Sequence, residues 1–133
     1  MNDDLKHVER FHGHLGPYAV IGYRMGKLAC EKLGKDPFEK KAKVSTGTTP
    51  PLSCIIDGIQ LSSGCTLGKG NIEVDYSMRP TAEFTNKKGN RLKITLKKDV
   101  WDEIDTNVNQ ENIHSYSEDM YQRSDSDLFE IEV

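Results

Sequence analysis

The stretch from Pro17 to Gly34 constrains this chain more than any other, because it reads as one helix with two glycines inside it. Pro17 suits a first helical turn, and Gly34 suits a C-terminal cap. At ~100° per residue, Tyr18, Ile21, Met25, Leu28, Ala29 and Leu33 form a wide apolar face, with Arg24, Lys27 and Glu31 pointing away from it. Ala19, Gly22, Gly26 and Ala29 make a ridge of small residues along one margin of that face. A glycine inside a helix costs roughly 1 kcal/mol against alanine. Two on one ridge imply that another backbone packs there closely, either inside the monomer or across a dimer contact.

The flanking sequence alternates between helical and strand patterns. Asp3 or Asp4 can cap a first helix running to Phe11 or His12, which Gly13, Gly16 and Pro17 then break. Lys43 to Thr46 reads as a short strand ended by Thr48-Thr49-Pro50-Pro51, and a further helix spans about Leu52 to Leu61, closed by Gly64. Asn71 to Tyr76, Thr81 to Thr85 and Arg91 to Lys97 alternate as strands, the last two joined by a hairpin loop at Lys87-Lys88-Gly89-Asn90. Asp99 can cap a helix to about Asp105, Asn112 to Arg123 is a second, and Ser124 to Asp127 is a polar linker into a terminal apolar strand, Leu128 to Val133. This mixture predicts an α+β fold, with an antiparallel or mixed sheet packed against N-terminal and central helices in one domain over 1–133.

Charge and cysteine usage exclude several classes of function. The formal net charge of -3 gives no field for a phosphate backbone, so no nucleic-acid partner is expected. The one basic stretch, Lys40-Lys41-Ala42-Lys43, is a solvated edge. No apolar run approaches the ~20 residues of a membrane span, and the acidic N-terminus is not a signal peptide. Three cysteines without a CxxC pair argue against a disulfide framework and a zinc ribbon, so a reducing cytoplasm is the expected setting.

Chemistry-bearing residues concentrate in two segments. In Phe11-His12-Gly13-His14-Leu15-Gly16-Pro17-Tyr18, the histidines lie two apart and would diverge on a continuous helix. They converge only if the helix ends at Gly13, which leaves His14 in a turn leading into the next helix N-terminus. The bland alternative is that both satisfy backbone groups around that turn. In the second segment, Leu52, Ile55, Ile56 and Ile59 share a core face, while Cys54, Asp57, Gly58 and Leu61 fall opposite. A purely structural cysteine would sit with the isoleucines, so Cys54 faces solvent, a second packing surface or a site. Cys65 follows in a glycine-rich turn where Gly68, Lys69, Gly70 and Asn71 can cradle an anion, or simply make a tight turn before a strand. Cys30, on the helix flank, reads as a small packed hydrophobe. Two thiols, two imidazoles and a carboxylate suit Zn²⁺ or a related ion if the segments meet in space.

Taken together, these residues resemble a known family. His12-Gly13-His14-Leu15-Gly16-Pro17 with Gly22-Tyr23-Arg24-Met25-Gly26, followed by Cys54-x-x-Asp57-x-Ile59-Gln60 and Gly64-Cys65-Thr66-x-Gly68-Lys69-Gly70-Asn71, is similar to the two signatures of the FmdE family, in the same order. That family takes its name from one component of formylmethanofuran dehydrogenase. The resemblance implies an α+β core, an intertwined homodimer and a metal-associated pocket lined by the motif His and Cys residues. It also implies a setting in methanogenesis, inside a larger oxidoreductase complex. Some members carry a C-terminal zinc finger, and no cysteine follows Cys65 here, so a core-only member is expected. Gly16 stands where the family pattern usually has cysteine, and Tyr18 where it usually has glycine. The first difference removes a thiol from the implied pocket. The dehydrogenase reaction itself is expected to need a molybdenum or tungsten pterin and iron–sulfur clusters, which three scattered cysteines cannot hold.

Three functions follow as expectations. The first is a dimeric accessory or sensor protein binding a divalent transition metal, zinc foremost, through His14 and Cys54, with His12 and Cys65 next. Asp57 would then orient a ligand, and Lys69 with its glycine turn would hold an anion. The second is an enzyme in which Cys54 is a nucleophile or redox thiol assisted by His14. The third is a structural interaction protein whose His and Cys residues are merely packed.

Overall fold

The computed structural model describes residues 1–133. Its centre is helix α2 (Pro17–Leu33), buried on most of its circumference, crossed by helix α3 (Cys54–Ser63). The small-residue ridge meets α3 inside the chain. A Cβ at Gly22 would stand 2.7 Å from the carbonyl carbon of Ile55, and one at Gly26 would stand 3.0 Å from the amide nitrogen of Ser63. From the other side, a Cβ at Gly58 would stand 2.8 Å from the carbonyl carbon of Gly22. Carbon atoms pack at ~3.5–4.0 Å, so the two helices approach more closely than any side chain permits. The glycines are required by this crossing and not by flexibility.

The crossing also revises the expected faces of α3. Ile55 and Ile59 enter the core, but Gly58 is buried with them and Ile56 is left half-buried. Cys54 and Asp57 therefore sit on the margin of the α2 contact, beside helix α1 (Asp3–His12), and not on a free outer face. The cap of α1 is Asn2, whose side chain accepts from the Leu5 amide at 2.9 Å, leaving Asp3 and Asp4 in the first turn where they favour the helix dipole.

One sheet lies against these helices in the order β2 (Ile72–Val74), β1 (Lys40–Val44), β3 (Thr81–Asn86), β4 (Arg91–Leu96), β5 (Phe129–Glu132). Only β1 and β2 run parallel, so the sheet is mixed and the fold is α+β. Its inner face carries Ala42, Val44, Ala82, Phe84, Leu92, Ile94 and Leu96, all buried. On the outer face, Glu73, Lys43, Glu83, Lys93 and Glu132 stand opposite one another across all five strands. This ladder of alternating charge supports the register, since a one-residue slip would turn the charges toward the core.

Strand β1 starts three residues before its expected position. The reason is Lys40, which is 1% exposed and donates from Nζ to the carbonyl oxygens of Gly34 and Asp36 at 2.8 and 2.9 Å. Its buried stem completes the inward alternation Lys40, Ala42, Val44, which a lysine disguises in the sequence.

The second half of the chain adds helices α4 (Lys98–Asn107), α5 (Ile113–Gln122) and the short α6 (Asp125–Leu128). Asp99 does not cap α4, whose N-cap is Lys97 with no side-chain bond; Asp99 lies in the first turn instead. The expected linker at 124–127 is mostly helix α6, capped by Ser124 accepting from the Asp127 amide. Arg24 binds α5 to α2 by donating to the carbonyl oxygens of Met120, Tyr121 and Arg123 at 3.1, 2.8 and 2.6 Å and to Asp125 at 2.8 Å. It thus serves the carbonyls left unpaired at a helix C-terminus. Arg123 and Tyr116 both donate to Glu103, tying α5 to α4. No helix is long and apolar enough to cross a membrane.

Gly58→Ala should destabilise the protein by about 2 kcal/mol or more, despite the ~1 kcal/mol gained in helix propensity, because α2 has no room for the methyl group. Gly68→Ala, where nothing lies within 4 Å, should be close to neutral. Urea unfolding midpoints measure both. A stabilised Gly58→Ala would contradict the crossing.

Candidate functional site

Gly13 ends α1 in the left-handed region at φ 97°, with its amide bonded to the Glu9 carbonyl oxygen at 2.9 Å. The chain reverses there and is anchored by buried Leu15 before α2 begins. The reversal brings the His14 ring over that of His12, with centroids 4.8 Å apart and planes at 41°. The two histidines therefore converge as the helix break implied.

From α3, Asp57 approaches His12, with Oδ2 2.6 Å from Nδ1. This contact fixes the ring and directs Nε2 away from the carboxylate. The two sequence segments thus meet directly. One turn earlier on α3, Cys54 lines the same cleft as His12 and His14. The cleft has a volume of about 290 Å³. Gly16 forms part of its wall, and a Cβ at that position would lie 3.2 Å from His14 Cε1. A side chain at position 16 would therefore enter the cleft beside the imidazole.

Other parts of the lining come from segments of the chain that carry no motif. Helix α4 contributes Ile104 and Asp105, and Val108 and Ile113 follow at the turn into α5. Pro50 and Pro51, with Pro17, Tyr18 and Ala19 from the start of α2, complete the lining. Tyr18 is 4% exposed, and its hydroxyl donates to Asp105 Oδ1. Burial, reinforced by that carboxylate, pushes the Tyr18 phenol far up, so it remains a hydrogen-bond donor.

Cys54 is half-buried, and its thiol is pushed up, first by burial and then by the negative charge of Asp57. Both effects oppose a resting thiolate. A bound cation would reverse that balance, because metal coordination deprotonates the sulfur.

The remaining expected site residues lie elsewhere. Cys65 is fully buried in the core, its amide held by Ser63 Oγ at 3.0 Å, and it does not line the cleft. Burial pushes its thiol up as well. The turn at 66–71 is closed on itself: the Lys69 amide bonds Thr66, the Gly70 amide bonds the Leu67 carbonyl, and Asn71 Oδ1 accepts from the Thr66 amide at 2.8 Å. Asn71 Nδ2 donates to the Pro37 and Lys40 carbonyl oxygens. The amides of Lys69 and Gly70 that an anion would need are thus already bonded, and Gly68, Lys69, Gly70 and Asn71 stay outside the cleft. Cys30 is half-buried against the Ser62 carbonyl oxygen, 3.5 Å away.

Sequence reasoning missed Asp105, Ile104, Val108 and Ile113 as parts of the site, and placed Tyr18 at the end of the first segment without a role in it. Tyr18 counted as core, and the others sit in amphipathic helices whose sequence gives no sign of which cleft they border. For a divalent transition metal, the donors at the cleft fit in kind: two imidazoles, one tied to a carboxylate, and a thiol. In position they are less closed, because no three His, Cys, Asp or Glu side chains stand together at ligating distances. His14 is exposed, and rotamer changes there and at Cys54 are what convergence requires.

Comparison with known proteins follows the same lines. The family model described as FmdE, molybdenum formylmethanofuran dehydrogenase operon, matches residues 11–130. A protein from Archaeoglobus fulgidus named as a probable S-adenosyl-L-methionine-binding protein is 34% identical over 118 residues, covering 84% of this chain. The chain spans only 28% of that relative's length. The crystal structure of a tungsten formylmethanofuran dehydrogenase FmdE-like protein from Syntrophus aciditrophicus matches with a TM-score of 0.70 at 23% identity, covering 96% of this chain and 68% of the other. At that identity the likeness establishes the fold.

The surroundings of Cys54 lead to a direct expectation. Its alkylation by iodoacetamide should show a midpoint above the ~8.5 of free cysteine. Asp57→Asn removes the repelling charge, so the midpoint should fall and the rate at neutral pH should rise. Mass-resolved labelling against pH measures this, and a midpoint below that of free cysteine would contradict the assignment.

Proposed function

This chain belongs to the FmdE family, and from that premise we propose that it is a metal-binding accessory or sensor domain holding one divalent transition ion, zinc foremost, in the α1–α2–α3 cleft. The observation carrying this reading is the His12–Asp57 contact beside His14 and Cys54. A carboxylate on the far nitrogen of an imidazole is the arrangement that orients and strengthens a metal-ligating histidine. His12 through Nε2, His14 and Cys54 would hold the ion, with a fourth position left for water or a ligand. The ion would supply Lewis acidity at that open position. The chain's own residues hold the ligand rings, exclude bulk water with the apolar wall and keep the Tyr18 proton in place.

Binding is favoured over thiol catalysis by the His12–Asp57 contact, which suits a ligating imidazole and leaves no base bonded to Cys54. A larger oxidoreductase complex, a homodimer and a cytoplasmic setting belong to the same proposal. Their support is the family relationship, which links the chain to formylmethanofuran dehydrogenase by description.

A second reading draws on the Archaeoglobus relative, whose name attributes S-adenosyl-L-methionine binding to it. An apolar cleft with a carboxylate at its rim suits part of such a sulfonium compound. Isothermal titration with S-adenosyl-L-methionine separates the two. Saturable binding to metal-free protein supports this second reading, and its absence leaves that function to the remainder of the relative.

Untagged protein should bind about one equivalent of Zn²⁺ or Co²⁺ per chain in equilibrium dialysis, with a sulfur-to-metal charge-transfer band for Co²⁺. His14→Ala, Cys54→Ala and Asp57→Asn should each weaken binding, the last by about 10–100-fold. Cys65→Ala should leave it unchanged if the fold is kept, and Gly16→Cys should tighten it by adding a thiol beside His14. Unchanged binding in a His14→Ala/Cys54→Ala double variant would overturn the proposal.

A further inference from the structure

The cleft is larger than a metal ion needs. Its volume of about 290 Å³ is space for roughly ten water molecules at liquid density. An ion with one bound water, held by His12, His14 and Cys54, would occupy only part of it. The rest of the cleft is bounded by Ile104, Val108, Ile113 and the two prolines, with the Tyr18–Asp105 pair among them. Apart from the two histidines, the charged lining of the cleft is one-sided. No lysine or arginine lines the cleft, so an organic anion finds no fixed cationic side chain there. Asp105 is the only Asp or Glu in the lining, and Tyr18 takes up one of its two oxygens. A carboxylate has roughly four acceptor sites, so one phenol leaves it capacity for a further donor.

We infer that the cleft takes a small organic cation, an ammonium compound with a compact apolar body, its charged end on Asp105 and its body against Ile104, Val108 and Ile113. This rests on the cleft being the binding site, as proposed above, and applies to the metal-free protein, since a divalent ion in the same cleft would repel an ammonium and attract a carboxylate. Tyr18 acts as the positioning residue. Its hydroxyl donates to Asp105 from a buried ring and so fixes the carboxylate in the lining of the cleft. The arrangement selects by charge, because an organic carboxylate would meet Asp105 with like charge and no compensating partner.

The test uses the metal-free, EDTA-dialysed protein and three probes of one shape: cyclohexylammonium, cyclohexanol and cyclohexanecarboxylate. Each is titrated while backbone amide resonances are followed by NMR. Cyclohexylammonium should shift the amides of Tyr18 and of 104–108 saturably, and bind at least about tenfold more tightly than the carboxylate. Asp105→Asn, in which the amide oxygen still accepts from Tyr18, should remove that preference and leave cyclohexanol and Zn²⁺ binding unchanged. Equal binding of ammonium and carboxylate by the wild-type protein would overturn the inference, as would an undiminished preference in Asp105→Asn or an absence of shifts at Tyr18 and 104–108. The wild-type comparison alone decides if the variant does not fold. Zn²⁺ binding that is unchanged in His14→Ala/Cys54→Ala while the ammonium preference is retained is a failure of the metal proposal alone, whereas Zn²⁺ binding that depends on His14 with no ammonium preference is a failure of this one.

Discussion

The crossing of α2 and α3 at Gly22, Gly26 and Gly58 governs the rest of the structure. The helices meet backbone to backbone, and each glycine faces a peptide or a short side chain of the other helix. The cost of these residues is the loss of helix propensity, roughly 1 kcal/mol each. What offsets it is the burial that follows. α2 packs on the sheet, on α3 and on α5 at once, so Val20, Ile21, Met25 and Ala29 are fully buried. An alanine in place of Gly58 would separate the helices and loosen several of these contacts together.

The same crossing positions the site. Cys54 is the first residue of α3 and Asp57 lies one turn on, so the close approach of α3 to α2 brings both beside the α1–α2 break. The Gly13 reversal delivers His12 and His14 from the other side. Arg24 and Glu103 then hold α5 and α4 in place, completing the apolar part of the lining. The donors His12, His14 and Cys54 and the Tyr18–Asp105 pair, which line one cleft, therefore depend on the same helix packing.

Much of this was legible in the sequence, for identifiable reasons. The glycine ridge showed that a backbone had to pack against α2, but its partner is itself a glycine helix, and only the fold reveals which pair meets. The helix break at Gly13 showed how His12 and His14 could converge. The separation of Cys54 and Asp57 from the isoleucines marked them as lying outside the core, and they sit at the margin of the α2 contact, where Gly58 proved to be a packing residue. The strand at 40–44 was obscured because Lys40 is buried through its stem and satisfied by carbonyl oxygens. Cys65 and the turn at 68–71 looked functional from their residue types, yet their polar groups serve the turn and the core. Asp105 and its neighbours on α4 were invisible as site residues, since nothing local marks a surface carboxylate as the partner of a tyrosine 87 positions away.

The central claim is that this helix crossing assembles one cleft in which two imidazoles and a single thiol hold a metal. X-ray absorption at the zinc edge of the Zn²⁺-loaded protein tests it most directly. The account predicts one sulfur scatterer at about 2.3 Å and two imidazole nitrogens at about 2.0–2.1 Å. A shell of nitrogen and oxygen alone, without sulfur, would contradict it.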